Sequence, residues 1–289
     1  MRVRMFDLPL KAGLAALVLS SGVSGCKERE RRERCESARR TAIRTWQDYG
    51  QAAEAAVARL DTEASDTARE ASATGAQSDA RVQQLLARLI LVGAPASAPT
   101  VATHAPTRVP PTAVDTPPTP LETVRQVARM AVGMAAREAA MFTRHTVAAI
   151  TSHDAAAARS AANRAADALV RAQAGTTRIG NELRAQAASD AGAADPVRAA
   201  MVEIEQIATE MVAQTHQTVQ AADRAASAME RAAGALERAN LATTAVGAAT
   251  QNAVIARNAA HAVPEDPDLA GRNQAVEASD RAWTACTAP

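Results

Sequence analysis

DRAASAMERAAGALERANLAT, residues 223–243, consists of three similar blocks of seven residues. Each block opens with an acidic residue followed by arginine, and alanine or another small residue fills most of the remaining positions. A strict period of seven predicts an α-helix that packs along one face in the geometry of a left-handed coiled coil. The small residues predict that the helices packed on this face approach one another closely.

The spacing continues on both sides of these blocks and defines a seam, meaning a stripe of apolar or small residues at alternating intervals of four and three. This seam comprises Val197, Met201, Ile204, Ala208, Met211, Thr215, Thr218, Ala222, Ala225, Met229, Ala232, Leu236, Ala239, Thr243, Val246, Thr250 and Ala253. Two weaker seams comprise Ala162, Ala165, Leu169, Ala172, Thr176, Ile179 and Leu183, and Ile43, Trp46, Gly50, Ala53, Val57, Leu60 and Ala64. We therefore predict an all-α fold, an elongated, alanine-rich antiparallel helical bundle or coiled coil with a proline-rich linker.

The composition agrees with thin seams rather than a thick core. Hydrophobic residues make up 47% of the 289-residue chain, but alanine supplies most of them and aromatic residues only 2%. Alanine favours helices yet buries a single methyl group, which contributes about 0.8 kcal/mol. The 32 basic and 31 acidic residues nearly cancel, leaving a formal net charge of +1. A nucleic-acid binder needs a basic excess, so we predict no nucleic-acid partner.

Proline marks the organisation of the chain. Eight of the 13 prolines lie between residues 95 and 120, and this stretch holds few large apolar or charged side chains. Such a composition predicts a disordered, extended linker over residues 93–119. Proline directly follows a helix-capping residue at three positions, namely Thr119, Asp195 and Asp266. We predict helices over 27–92, 120–190, 196–263 and 267–286, with breaks near Thr74–Gly75 and near 152–154 or 175–180.

The first 26 residues carry an export signal. MRVRMFDLPLK is basic, AGLAALVLSSGV is apolar but too short to span a membrane, and Val23-Ser24-Gly25-Cys26 follows. This arrangement resembles the lipobox of bacterial lipoproteins. The resemblance implies that residues 1–25 are removed as a signal peptide and that Cys26 receives the lipid. The alternative is an ordinary cleaved signal peptide that leaves Cys26 as a free thiol.

The resemblance also implies a location and a first partner. A lipidated Cys26 would anchor the chain to a membrane of the cell envelope. Lys27 stands where aspartate, in the enteric type of sorting, retains a lipoprotein in the inner membrane. We therefore expect the outer membrane, with the protein facing the periplasm. The charged stretch KERERRER, residues 27–34, reads as a solvated first part of the helix that follows.

The other two cysteines lie near the ends of the predicted helical region. Cys35 lies early in the first helix, and Cys286 ends a stripe of the last one with Val276, Ser279 and Trp283. In an oxidising compartment we predict a Cys35–Cys286 disulfide, with two free thiols or an intermolecular bond as the alternatives. Such a bond would require the linker to bring the chain back towards the membrane before residue 120.

Catalytic and metal-binding patterns are weak. None of the five histidines has a second histidine or a cysteine at the i, i+4 spacing of a helical zinc site, and no glycine-rich phosphate loop occurs. We predict no enzyme activity, no cofactor and no metal site. We predict instead a structural or interaction protein, a scaffold or spacer that binds an envelope protein or a second copy through its seams. The alternative is a periplasmic ligand-binding or sensory module, with a pocket lined by Met130, Met134, Met141 and Phe142.

Overall fold

The computed structural model describes the backbone of residues 9–92, 119–189, 195–249 and 269–287, and the side chains of residues 27–92, 119–188, 196–247 and 269–286. Every element in these ranges is helical. The helices are α1 (Pro9–Leu91), α2 (Pro120–Val127), a π-helical turn (Ala128–Gly133), α3 (Met134–Thr151), α4 (Ala155–Ser189), α5 (Asp195–Ala249) and α6 (Ala270–Thr287). The prediction of an all-α helical bundle is therefore confirmed for the described residues.

The helix breaks differ in part from the prediction. Helix α1 continues without interruption through Thr74 and Gly75, and α4 continues through residues 175–180. The chain reverses at residues 152–154, where His153 adopts a left-handed backbone conformation with φ of 55°. Asp154 caps the next helix, because its side chain accepts a hydrogen bond of 2.8 Å from the Ala157 amide. Of the two breaks predicted within residues 120–190, the one at 152–154 is therefore confirmed, and it divides the segment into antiparallel helices.

The described chain divides into two compact units. Unit 1 consists of Met1–Arg59 and Gly234–Pro289, and unit 2 consists of Leu60–Ala233. In unit 2, part of α1 packs with the α2–π–α3 segment, α4 and part of α5 as a four-helix bundle. Cross-helix ion pairs fix the directions of the helices. They are Arg231–Glu63 and Arg88–Glu203 between α1 and α5, Arg144–Asp79 between α3 and α1, and Arg171–Glu138 between α4 and α3. Each neighbouring pair of helices runs antiparallel, the up-down arrangement that short connections favour.

Helix α2 begins beside the end of α1, so the expected return of the linker towards the membrane is wrong. Arg125 of α2 donates a hydrogen bond to the carbonyl oxygen of Val92. Thr119 caps α2 as the sequence predicts, because its hydroxyl accepts a hydrogen bond of 3.2 Å from the Glu122 amide. The rest of the predicted linker, residues 93–118, lies outside the described residues.

The core of unit 2 changes character along the bundle. Near the start of α2 it contains large aliphatic side chains, including Ile179, Ile204 and Ile207, each at most 1% exposed. Towards the α3–α4 turn the buried cluster consists almost entirely of alanine, for example Ala158 and Ala225. The large side chains supply most of the buried apolar area, so we expect the stability of unit 2 to depend chiefly on them.

The main seam is confirmed from Met201 to Ala232, whereas Val197 at its start is 39% exposed, and beyond Ala232 only some of its predicted positions are buried, Ala239 among them. Met201, Ile204, Ala208, Met211, Thr215, Thr218, Ala222, Ala225, Met229 and Ala232 are all buried. Beyond Ala232 the buried face carries Ala235 and Ala242, whereas Leu236 is 51% exposed and Thr243 faces solvent. In unit 1, Ala239, Ala242 and Ala245 belong to one buried cluster with the large rings of Trp46 and Tyr49. A ring needs a small residue opposite it, and this requirement outweighs the burial of one leucine. Thr250 and Ala253 lie outside the described residues.

Candidate functional site

Cys35 and Cys286 come together in unit 1. The two cysteines lie at disulfide distance with their Cα atoms 5.3 Å apart, and 251 residues separate them in sequence. Beside them, Trp283 packs on Ala42 of α1, and both residues are buried. The pairing that the sequence predicts is therefore present, and it joins α6 to the early part of α1.

Polar contacts extend this junction along the same two helices. The hydroxyl oxygens of Thr45 and Ser279 lie 2.7 Å apart, and the indole Nε1 of Trp46 donates a 3.3 Å hydrogen bond to the carboxylate of Asp280. Asp280 is only 3% exposed. Because a buried carboxylate is costly without donors, the bond from Trp46 to Asp280 favours this orientation of α6. We call Cys35, Thr45, Trp46, Ser279, Asp280 and Cys286 the disulfide site.

The structure does not test the predicted lipid attachment at Cys26. Residue 26 belongs to α1, but its side chain lies outside the described residues, as do residues 1–8 of the signal segment. Within the ranges that the structure describes, no helix has the length and apolar character needed to cross a membrane.

A second feature is a groove in unit 2 between α1 and the π-helical turn. It has a volume of about 430 Å³ and is lined by Gln83, Leu86, Ala87, Ile90, Arg129, Met130, Gly133, Met134 and Arg137. We call it the Met groove. Met130 and Met134 are 53% and 56% exposed, and Ile90 is 59% exposed. The structure therefore places two of the four predicted pocket residues in one groove and supplies their apolar partners from α1.

The remaining two residues of the predicted pocket lie elsewhere. Met141 is 40% exposed and does not line the groove. Phe142 packs against the cluster around Ala139 and Leu169, and its ring lies 5.7 Å from the guanidinium carbon of Arg164. Phe142 thus serves the packing of α3 on α4, a role that sequence spacing cannot separate from that of Met141.

Two glycines allow the π-helical turn to pack tightly. A Cβ atom at Gly133 would lie 2.6 Å from Cδ2 of Leu86, on the side of the Met groove. On the opposite side, a Cβ atom at Gly175 of α4 would lie 2.9 Å from Cγ2 of Val132. Glycine at both positions lets α1 and α4 press against this turn. A π-helical turn is rare and is frequently found at functional sites, which makes the neighbouring Met groove a candidate binding surface.

The most concentrated charge cluster in unit 2 is centred on Arg159 of α4, and we call it the Arg159 network. Its Nε and Nη2 atoms donate hydrogen bonds of 2.9 and 2.7 Å to the two carboxylate oxygens of Glu230, and Nη1 lies 2.5 Å from Asp223. A further bond of 2.7 Å goes to Ser227. The hydrogen bonds from Arg159 lower the pKa of Glu230 below its ordinary value, and the bond to Glu230 raises the pKa of Arg159. The network holds α4 against α5, and its charged groups are satisfied by one another.

The lowered pKa of Glu230 predicts a pH-dependent contribution to stability. The contribution is fully present above the ordinary pKa of 4.5 and is lost as the pH falls through the lower value in the folded state. At about pH 7 we expect Glu230→Gln to lower the free energy of unfolding by about 0.5 to 1 kcal/mol, since the pair is partly exposed. At an acidic pH below the lowered pKa of Glu230 in the folded state the difference should vanish, because wild-type Glu230 is then protonated too. Urea unfolding followed by circular dichroism at the two pH values measures it.

A matched control for this prediction lies on the same helix. Glu237 is exposed, and among the described residues it has no ion pair. Glu237→Gln should change the free energy of unfolding little at either pH. An equal pH-dependent difference for both variants would contradict the assignment of the effect to the Arg159 network.

Among the described side chains, no group of three or more histidine, cysteine, aspartate or glutamate residues is arranged to hold a metal ion. No protein-family model matches this chain, and no curated protein and no solved structure is similar to it.

Proposed function

We propose that this protein is a lipid-anchored scaffold or spacer of the bacterial cell envelope that acts by binding partners through its helical bundle. The observation that carries the proposal is the position of the lipobox, Val23–Cys26, nine residues before Cys35 of the disulfide site. An anchor at Cys26 would hold both the first and the last helix of the chain at the membrane. The disulfide would then keep the end of the chain there even under mechanical or thermal stress.

The charged side chains of unit 2 support a non-catalytic role. Arg81, Arg88, Arg224 and Arg231 form ion pairs with acidic residues across the bundle, and Arg159 joins two carboxylates. Groups that pair in this way stabilise the approach of one helix to the next. We infer that the plentiful acids and arginines serve packing and solubility, and that the protein is not an enzyme.

Lipid labelling tests the anchor. In cells that express the full chain, we expect wild type to incorporate labelled palmitate and to fractionate with the outer membrane. Cys26→Ala should lose the label and leave the membrane fraction, because the only proposed attachment point is gone. Cys35→Ser is the matched control and should keep the label. Label retained by Cys26→Ala, or a wild-type chain without label, would contradict the anchor.

Crosslinking tests the scaffold role. A defined envelope protein or peptidoglycan recovered with the wild-type chain from crosslinked envelopes would support it. A second candidate function, a ligand-binding or sensory module, rests on the Met groove. A small molecule retained by the purified chain would favour that second candidate.

A further inference from the structure

We propose that the Met groove is the recognition surface for an amphipathic helix of a partner protein, one that carries acidic side chains along the edges of its apolar face. The proposal deepens the scaffold function, on which its biological meaning rests, by naming the surface and the chemistry of the partner. The interaction itself depends only on unit 2.

The apolar part of the groove has the spacing that a helix requires. Leu86 and Ile90 on α1 are four residues apart, and Met130 and Met134 on the other wall have the same spacing. Walls built from i and i+4 side chains leave holes one helical turn apart, which accept side chains at matching intervals from a docked helix. Methionine is flexible and polarizable, so it adapts to the side chains of a partner.

The exposure of the groove favours a helix over a small molecule. Met130, Met134 and Ile90 are each more than half exposed, and these side chains form the walls rather than a closed cavity. A small-molecule site normally encloses most of its ligand. A partner helix instead covers an open groove from above and buries several exposed apolar side chains at once.

The charge at the groove indicates which sign of charge the partner should carry. Arg129 and Arg137 line it, and neither forms an ion pair among the described residues. The nearby carboxylates are already used, because Glu122 pairs with Arg125 and Glu138 pairs with Arg171. The rim therefore presents two uncompensated positive charges beside apolar side chains. A partner with carboxylates at the edges of its apolar face complements both features.

The same charges disfavour a second copy of this chain as the occupant. Two Met grooves placed face to face would bring four guanidinium groups together with no carboxylate from either rim to neutralise them. Such like-charge contact costs free energy in a desolvated interface. The geometry thus points to a different protein.

The experiment uses the full chain reconstituted in nanodiscs of zwitterionic lipid, with empty nanodiscs as a blank. The probes are two fluorescent synthetic helical peptides with the same leucine face, one flanked by glutamate and the other by lysine. Fluorescence anisotropy should show the glutamate-flanked peptide binding at least about tenfold more tightly, as expected for two partly desolvated charge pairs. Arg129→Glu combined with Arg137→Glu should reverse the preference. Met134→Glu should abolish binding of the glutamate-flanked peptide.

Controls separate this surface from general electrostatics and from misfolding. Arg178→Glu reverses an exposed charge of α4 outside the groove and should leave the preference for the glutamate-flanked peptide unchanged. The reversed preference of the double variant is itself evidence of folding, since an unfolded groove would bind neither peptide. Circular dichroism should show all variants equally helical.

Several outcomes would overturn the proposal. Equal affinity for both peptides, or an unchanged preference in the double variant, would show that the groove does not distinguish helices by their charge. Capture of a differently tagged second copy that Met134→Glu abolishes would assign the groove to self-association. Binding of the chain to anionic vesicles that the double variant loses, without peptide binding, would assign it to a lipid surface. None of these results bears on palmitate labelling at Cys26, so the anchor and the groove can fail separately.

Discussion

Replacing both Cys35 and Cys286 with serine should lower the free energy of unfolding of unit 1 by up to about 5 kcal/mol. The bond closes a loop of 251 residues, and constraining so long a loop in the unfolded chain gives a contribution of this size in the chain-entropy model. The contribution is large relative to the small side chains that pack beside it, such as Ala42. The contacts of Trp46 with Asp280 and of Thr45 with Ser279 remain in the variant, so we expect destabilisation rather than complete loss of α6.

Tryptophan fluorescence measures this loss of stability of unit 1 directly. The chain has two tryptophans, Trp46 and Trp283, and both belong to unit 1 beside the disulfide site. In urea, the fluorescence transition of the double serine variant should move to lower concentration. Reductant is the matched control, because it should move the wild-type transition to the same place and leave the variant unchanged. A wild-type transition that does not respond to reductant would show that the two thiols are not bonded to each other.

The sequence predicted the all-α fold and the pairing of the cysteines, but only part of the buried face of α5. Heptad spacing between Met201 and Ala232 predicts the buried face of α5 because the stripe holds methionine and isoleucine among polar neighbours. Beyond Ala232 the buried positions Ala235, Ala239, Ala242 and Ala245 are all alanine, and a single methyl group contributes too little free energy for the spacing alone to fix the register. The register there is set by Trp46 and Tyr49, which lie far away in sequence. Periodicity within one helix carries no information about such a partner.

The sequence also left two possible positions for the break in the segment 120–190, namely residues 152–154 and 175–180. Local sequence does not show which helix packs against each of them. Asp154 caps α4 and marks the turn, but Gly175 and Gly180 carry an equally good local signal for a break. The structure shows that Gly175 instead makes room for Val132 of the π-helical turn. A glycine that allows close packing and a glycine that ends a helix are identical in sequence. Only the neighbouring helix distinguishes them.

The candidate sites were predictable to different degrees. Cys35 and Cys286 stand out because cysteine is rare in this chain and its chemistry is pairwise. Half of the predicted pocket residues line the Met groove, since Met130 and Met134 form one of its walls. Leu86 and Ile90 form the other wall, and they look like ordinary core positions of α1 until α3 is placed against them. Arg129 and Arg137 become candidate binding residues only once the structure shows that the nearby carboxylates pair with other arginines.

Ile204→Ala should lower the free energy of unfolding of unit 2 by about 2 to 5 kcal/mol. Ile204 is fully buried in the cluster that contains Ile179 and Ile207, and the substitution removes apolar contacts and leaves a cavity. The cluster around Ile204 also contains Val82, Leu85 and Met201, and close-packed neighbours of this kind relax only partly into the space. Hydrogen exchange of amides in α4, measured by mass spectrometry, reports the loss because unit 2 contains no tryptophan.

Val202→Ala is the matched control, because Val202 lies two residues away on the same helix and is 44% exposed. It should change the free energy of unfolding by at most about 0.5 kcal/mol, and the better helix propensity of alanine should offset the lost methyl contacts. If Ile204→Ala were as mild as Val202→Ala, the stability of unit 2 would come from its alanine seam and cross-helix ion pairs. A loss confined to Ile204→Ala would instead show that a few large side chains near the start of α2 hold four alanine-rich helices together.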